Sequence, residues 1–149
     1  MSEGPGDIGT AKVESGYAKP LPKIGVYDKP FWEYAKRHEL RMQRCKQCGN
    51  VWFPPAPVCN DCLSQEYEWK LMSGRARVVS WVIFHQLYIT GFKDEIPYAS
   101  VLVHLDEGPE MITNIVGLPN EQLKVGLPVE VVFEDATPEI SIPKFRPVR

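Results

Sequence analysis

The run "YASVLVHLDEGPEMITNIVG" holds two alternating apolar–polar segments broken at Asp106-Glu107-Gly108-Pro109. A period of two puts neighbouring side chains on opposite faces of a strand, and the break is rich in turn residues, so the run predicts a hairpin. Upstream, "WKLMSGRARVVSWVIFH" predicts one long strand with Gly74 as a bend or bulge; Val78, Ser80, Val82 and Phe84 alternate there with Val79, Trp81 and Ile83. Between these runs, "QLYITGFKDEIP" reads as a loop carrying Tyr88, Gly91, Phe92 and Pro97. Downstream, "LPNEQLKVGLP" holds at most a helical turn, and "VEVVFEDA" and "EISIPKF" supply the last two strands. Five strands with a long, bent first member predict a small Greek-key barrel, of which the OB-fold is the commonest design. Periodicity does not separate that fold from other small β-barrels.

The pattern changes before Trp69. In "DKPFWEYAKRHELRMQR", Asp28 suits an N-cap, Pro30 fits the first turn, and Phe31, Trp32 and Ala35 form an apolar side, predicting a helix across the segment. Lys36, Arg37, Arg41 and Arg44 gather toward its C-terminal half, where cations favour the helix dipole; an anion-binding face is the alternative. Residues 1–27 show no sustained period. They are expected to be mobile, because they bury too little apolar area to offset their ordering entropy. Their scattered apolar anchors, Ile8, Val13, Tyr17, Leu21, Ile24, Val26 and Tyr27, would equally suit an extended arm that docks on a partner. The expected layout is an arm over 1–27, a helix plus cysteine segment over 28–68, and a barrel with C-terminal tail over 69–149.

Composition narrows the function classes. At 149 residues the chain can bury a real core, and 44% hydrophobic with 24% charged residues is ordinary for a globular protein. A net charge of −2 argues against coating nucleic acid. No apolar stretch reaches bilayer length, and the N-terminus lacks the pattern of a signal peptide, so no membrane partner and a cytoplasmic location are expected. In that compartment paired cysteines act as metal ligands more often than as disulfides.

All four cysteines fall within "CKQCGNVWFPPAPVCNDC", as two C-x-x-C pairs, Cys45/Cys48 and Cys59/Cys62, with ten residues between them. Each pair forms a knuckle aiming two sulfurs at one point, and the intervening stretch is long enough for a short hairpin. Four thiolates in a tetrahedron suit one structural zinc ion; iron is the competitor. A closed four-sulfur site leaves no open coordination position, so the expected metal is a staple. Elsewhere the chain has little catalytic equipment: His38, His85 and His104 share no metal-ligand spacing, and no phosphate loop or nucleophile elbow is present.

The chain resembles the acyl-CoA-associated zinc-ribbon and OB-fold proteins, a family once filed as a domain of unknown function. The resemblance covers residues from about 28 to 147. It rests on "FWEYAKRHELRMQRCKQCGNVWFPPAPVCNDC", "EWKLMSGRARVVSW", "IPYASVLVHLDEGPEMITNIVG", "VGLPVEVVFED" and "PKFRP". It implies a mainly β protein: an N-terminal helix, a rubredoxin-like zinc ribbon, then a five-stranded OB-fold barrel. It further implies a non-catalytic subunit of a thiolase or thiolase-like aldolase that acts on acyl-CoA. The partner would supply the chemistry, and this chain would dock on it and help form the CoA channel. Aromatic and steroid breakdown are among the settings the family implies.

Under that reading Phe31, Trp32, Trp52 and Phe53 are candidate partner contacts. Trp52 and Phe53 are favoured because a ribbon has little interior in which to hide them. Arg75, Arg77, Tyr88, Phe92 and Lys93 are candidates to line the channel for a coenzyme A thioester. The competing function is a single-stranded nucleic-acid-binding module using Trp81, Tyr88 and Phe92 as stacking platforms. The acidic "DEGPE" and "FEDATPE" turns weigh against it. A third possibility, a free-standing acyl-CoA-binding protein or hydrolase, is disfavoured by the lack of a nucleophile–base pair in the sequence.

Overall fold

The apolar side of "KPFWEYAK" folds as helix α1, Lys29–Lys36, which buries Phe31 and Ala35. In this computed structural model, residues 17–149 are described. The helix predicted as far as Arg44 ends eight residues sooner. Arg37 and His38 donate backbone hydrogen bonds to Tyr34 and Ala35, and His38 turns left-handed at φ 61°. The chain then straightens into β1, Arg41–Cys45. This strand is the middle member of a three-stranded antiparallel sheet, between β2, Val51–Trp52, and β3, Tyr67–Leu71. β3 pairs with all five residues of "RMQRC" and β2 with Gln43 and Arg44, and that tertiary gain overrides a weak local helix preference. Asp28 also departs from expectation: its carboxylate accepts the Gly25 N–H and makes no bond to a helix amide.

The long strand read over 69–85 is two strands in two sheets. β3 belongs to the cysteine segment, and β4, Arg75–Phe84, opens the barrel. Gly74 lies between them at φ +81°, so close to Val131 that a methyl group on it would overlap that side chain. The bulge sits at Val79, where the β4–β5 register shifts between Val78 and Ser80. One extra residue flips the alternation. Ala76 and Val78 are buried before the bulge, and Trp81 and Ile83 face the core after it.

The other barrel strands follow the predicted order: β5, Tyr98–Leu105; β6, Glu110–Thr113; β7, Pro128–Asp135; β8, Ser141–Pro147. The sheet order is β6-β5-β4-β7-β8, antiparallel throughout. It curls until the chain after β6 meets β8 at a parallel bridge, Ile115 to Phe145, with Val116 N–H donating to the Phe145 carbonyl at 2.8 Å. The result is the Greek-key half-barrel of the OB-fold. Val101, Val103, Leu105, Val129 and Phe145 fill its interior at 0% exposure, and Phe31, Leu40 and Met42 join the same cluster. The helix and the root of the cysteine segment therefore share the barrel's core.

Candidate functional site

The two cysteine pairs fold as matching knuckles. Cys45 Sγ accepts the backbone N–H groups of Gln47 and Cys48 at 3.3 and 3.4 Å. Cys59 Sγ accepts those of Asp61 and Cys62 at 3.4 and 3.5 Å. The four Sγ atoms all lie within 4.8 Å of one another, with Cys45–Cys62 at 3.5 Å and Cys48–Cys59 at 3.6 Å. A tetrahedral zinc site with metal–sulfur bonds of about 2.3 Å has sulfur–sulfur edges of about 3.8 Å. The donor set fits such an ion in both type and spacing.

Electrostatics lead to the same conclusion. The Cys48 amide, with that of Gln47, holds the Cys45 thiol below its ordinary value against the effect of burial. Burial pushes the Cys59 thiol up, but the amides of Cys62 and Asp61 and the Asn50 side chain bring it down to about 6. Cys48 goes the other way, to about 12: the Asn50 amide lowers it, but burial and its three sulfur neighbours outweigh that bond. Ionising all four thiols this close together would need a cation among them.

Gln43, invisible to motif reading, positions the second knuckle. Its amide is 0% exposed and clamps Ala56 from both sides, accepting its N–H and donating to its carbonyl at 2.8 Å each. Asn50 bridges the knuckles through Cys59 Sγ and Asn60 Oδ1.

The candidate partner contacts divide. Trp52 is 3% exposed and packs with Cys45, Cys59 and Tyr67, and Phe31 is 4% exposed in the barrel core. The expectation that the ribbon cannot hide Trp52 is thus corrected: the knuckles and Tyr67 enclose it. Trp32 and Phe53 stay half-buried, each packed beside Phe31, with ring centroids 5.1 and 5.4 Å from it. Leu63, which sequence reasoning passed over, is 72% exposed beside Cys62.

The channel candidates also divide. Arg75 and Arg77 are exposed at the start of β4, whereas Tyr88, Phe92 and Lys93 follow its end. Seven residue steps, about 23 Å along the strand, separate Arg77 from Phe84, and neither arginine lines the cavity beside the loop. The loop has its own order. Phe92 stacks on Tyr98 with centroids 4.6 Å apart, Tyr98 on Phe84 at 5.1 Å, and Tyr88 meets Phe84 edge-on at 6.1 Å. Phe92 and Tyr98 wall a cavity of about 350 Å³ that also touches Asn114, Leu118, Asn120 and Lys144. Lys144 is 8% exposed and paired with Glu134 at 2.7 Å; no motif announced it. Of the aromatics offered to a nucleic-acid strand, Trp81 packs on the core.

One cluster superficially resembles catalytic machinery. His38 Nε2 lies 2.7 Å from Asp135 Oδ1, and Ser141 Oγ donates to that same oxygen. The serine proton is therefore spent on the carboxylate and not on an imidazole, so the trio is a structural tie. No helix among the described residues is long and apolar enough to cross a membrane.

Comparison with known proteins matches both parts of the chain. Residues 32–68 match the family model described as the ChsH2 rubredoxin-like zinc ribbon domain, and residues 69–134 match that of the ChsH2 C-terminal OB-fold domain. The chain is 36% identical over 130 residues to the probable enoyl-CoA hydratase alpha subunit of Thermomonospora curvata, covering 87% of this chain but only 40% of that protein. It is 30% identical over 114 residues to the benzoylsuccinyl-CoA thiolase subunit BbsA of Thauera aromatica, covering 73% of this chain and 76% of that one. A solved chain of the Ltp2-ChsH2(DUF35) aldolase superposes with a TM-score of 0.78 at 34% identity, over 85% of this chain and 98% of the other.

Proposed function

The chain belongs to the ChsH2 family of rubredoxin-like zinc-ribbon and OB-fold proteins, and from that premise we propose that it is a non-catalytic subunit of a thiolase-fold enzyme acting on acyl-CoA thioesters. The observation that carries the reading is the match, over nearly the whole of the solved chain, to a component of a two-protein aldolase. A thiolase subunit among the relatives supports the substrate class. The chain's own chemistry agrees: the Ser-Asp-His cluster found among the described residues is a tie, and the cysteines are committed to one another.

Cys45, Cys48, Cys59 and Cys62 would hold one zinc ion, which supplies rigidity and no reaction step. Trp32, Phe53 and Leu63, on or beside the ribbon, offer apolar surface to a catalytic partner. The cavity beside the Tyr88–Lys93 loop suits the amphipathic arm of coenzyme A. Phe92, Tyr98 and Leu118 give it an apolar wall, and Asn114, Asn120 and Lys144 give it polar groups.

Affinity purification from the native host tests the reading. The wild-type chain should co-elute with a thiolase-fold subunit and carry one zinc per chain, whereas Cys48→Ser should lose both metal and partner. Recovery of the intact assembly with the metal-free variant would refute the docking role of the ribbon.

A further inference from the structure

The N-terminal arm was expected to be mobile or to reach for a partner. Ile8 and Val13 lie outside the described residues, but Tyr17, Ala18 and Lys19 lie against the chain's own barrel. Lys19 Nζ sits 3.0 Å from Glu95, in the loop before β5, and 3.7 Å from Glu134 on β7. It also lies 5.5 Å from the centre of the Phe92 ring. Only 14% of its side chain is exposed. A lysine buried that far is unfavourable unless paired, and here two carboxylates and an aromatic face surround it. Lys144 holds the other oxygen of Glu134, so two cations and two carboxylates balance. The Ala18 carbonyl lies so close to Gly91 that any side chain at that position would collide with it. A glycine in the loop and a lysine in the arm are thus fitted to each other.

We propose that Tyr17–Lys19 is a strap that fixes the loop over residues 89–95 to β7, and with it the Phe92 wall of the cavity. Lys19 is the positioning residue. It joins two elements that no strand pairing connects at this end of the barrel. The consequence for coenzyme A rests on the function proposed above; the strap itself does not.

Three full-length variants test it: Lys19→Met keeps the stem and removes the charge, Gly91→Ala ejects the arm from the other side, and Lys19→Arg is the conservative control. In Lys19→Met and Gly91→Ala, amides of residues 89–95 should exchange with solvent on the order of tenfold faster, while those of β1 stay unchanged. Lys19→Arg should keep wild-type rates. Ultraviolet titration supplies a second signal. Burial, with its hydrogen bond to Glu134, pushes the Tyr17 phenol up to about 12, and loss of the strap should return it toward the ordinary value of about 10. Wild-type exchange and an unmoved Tyr17 in both disruptive variants would overturn the strap. In the purified native complex, calorimetry with free coenzyme A should show a several-fold rise in Kd. A loosened loop with unchanged Kd would refute the channel reading and leave the strap standing.

Discussion

At Leu63 the backbone is left-handed, with φ 65°, yet the side chain is 72% exposed. The first knuckle places Gly49 at the equivalent position, at φ 79°, directly after its second cysteine. Both residues donate their N–H to the carbonyl of the knuckle's first cysteine, at 3.0 and 3.1 Å. The fold thus demands the same turn twice, and only glycine adopts it without steric cost. Leu63→Gly should therefore stabilise the zinc-loaded chain by about 1 kcal/mol, because little packing is lost and left-handed strain is relieved. Urea unfolding at fixed zinc should show a higher midpoint; a lower one would mean that the leucine side chain packs in solution. A strained, exposed leucine at this position accords with the partner surface proposed above.

Among the elements, the cysteine segment and the barrel are stabilised differently. Met42 of β1 and Trp69 of β3 reach the barrel's cluster, but the knuckles themselves have only a short sheet and the small cluster of Cys45, Trp52 and Cys59. Metal-thiolate bonding can contribute on the order of 10 kcal/mol of apparent folding free energy to such a segment near neutral pH. Chelation of the bound metal should then melt residues 45–66 while the amides of β5 and β7 keep their protection, as hydrogen exchange with and without chelator would show. Simultaneous loss of both would mean that the shared packing of Phe31, Leu40 and Met42 makes the two parts one cooperative unit. Clashing preferences also appear at this scale. "RMQRC" follows directly on helical sequence, but its ladder partners lie up to 30 residues away, as Arg41 with Leu71 shows.

Across the whole molecule, polar ties add to the shared core in joining distant elements. His38, on the link between α1 and β1, stacks on Phe133 with centroids 5.0 Å apart and reaches Asp135 on β7. Ser141's hydroxyl, followed by His38, holds the Asp135 carboxyl below its ordinary value. A carboxylate held low stabilises the fold above its unfolded pKa of about 3.9 and loses that contribution as pH falls through the folded value. Asp135→Asn should consequently be less stable than wild type at pH 7, with the difference in urea midpoint shrinking toward pH 3 and below. A difference independent of pH would mean that packing, and not the charge, carries the tie.

The four-cysteine cluster was legible in the sequence because its members are local: two short knuckles bring four thiols together with no help from a distant residue. The β5–β6 hairpin was legible for the same reason, through alternation and a turn between adjacent strands. Non-local contacts decided the rest. The end of α1, the assignment of Tyr67–Leu71 to the cysteine sheet and the phase flip at Val79 depend on which strands lie alongside. Likewise, the enclosure of Trp52 and the strap at Lys19 come from segments brought together by folding. Periodicity records which faces of a segment can be buried; the energy of a contact between distant segments exists only once the chain has folded, and that energy chose among the options.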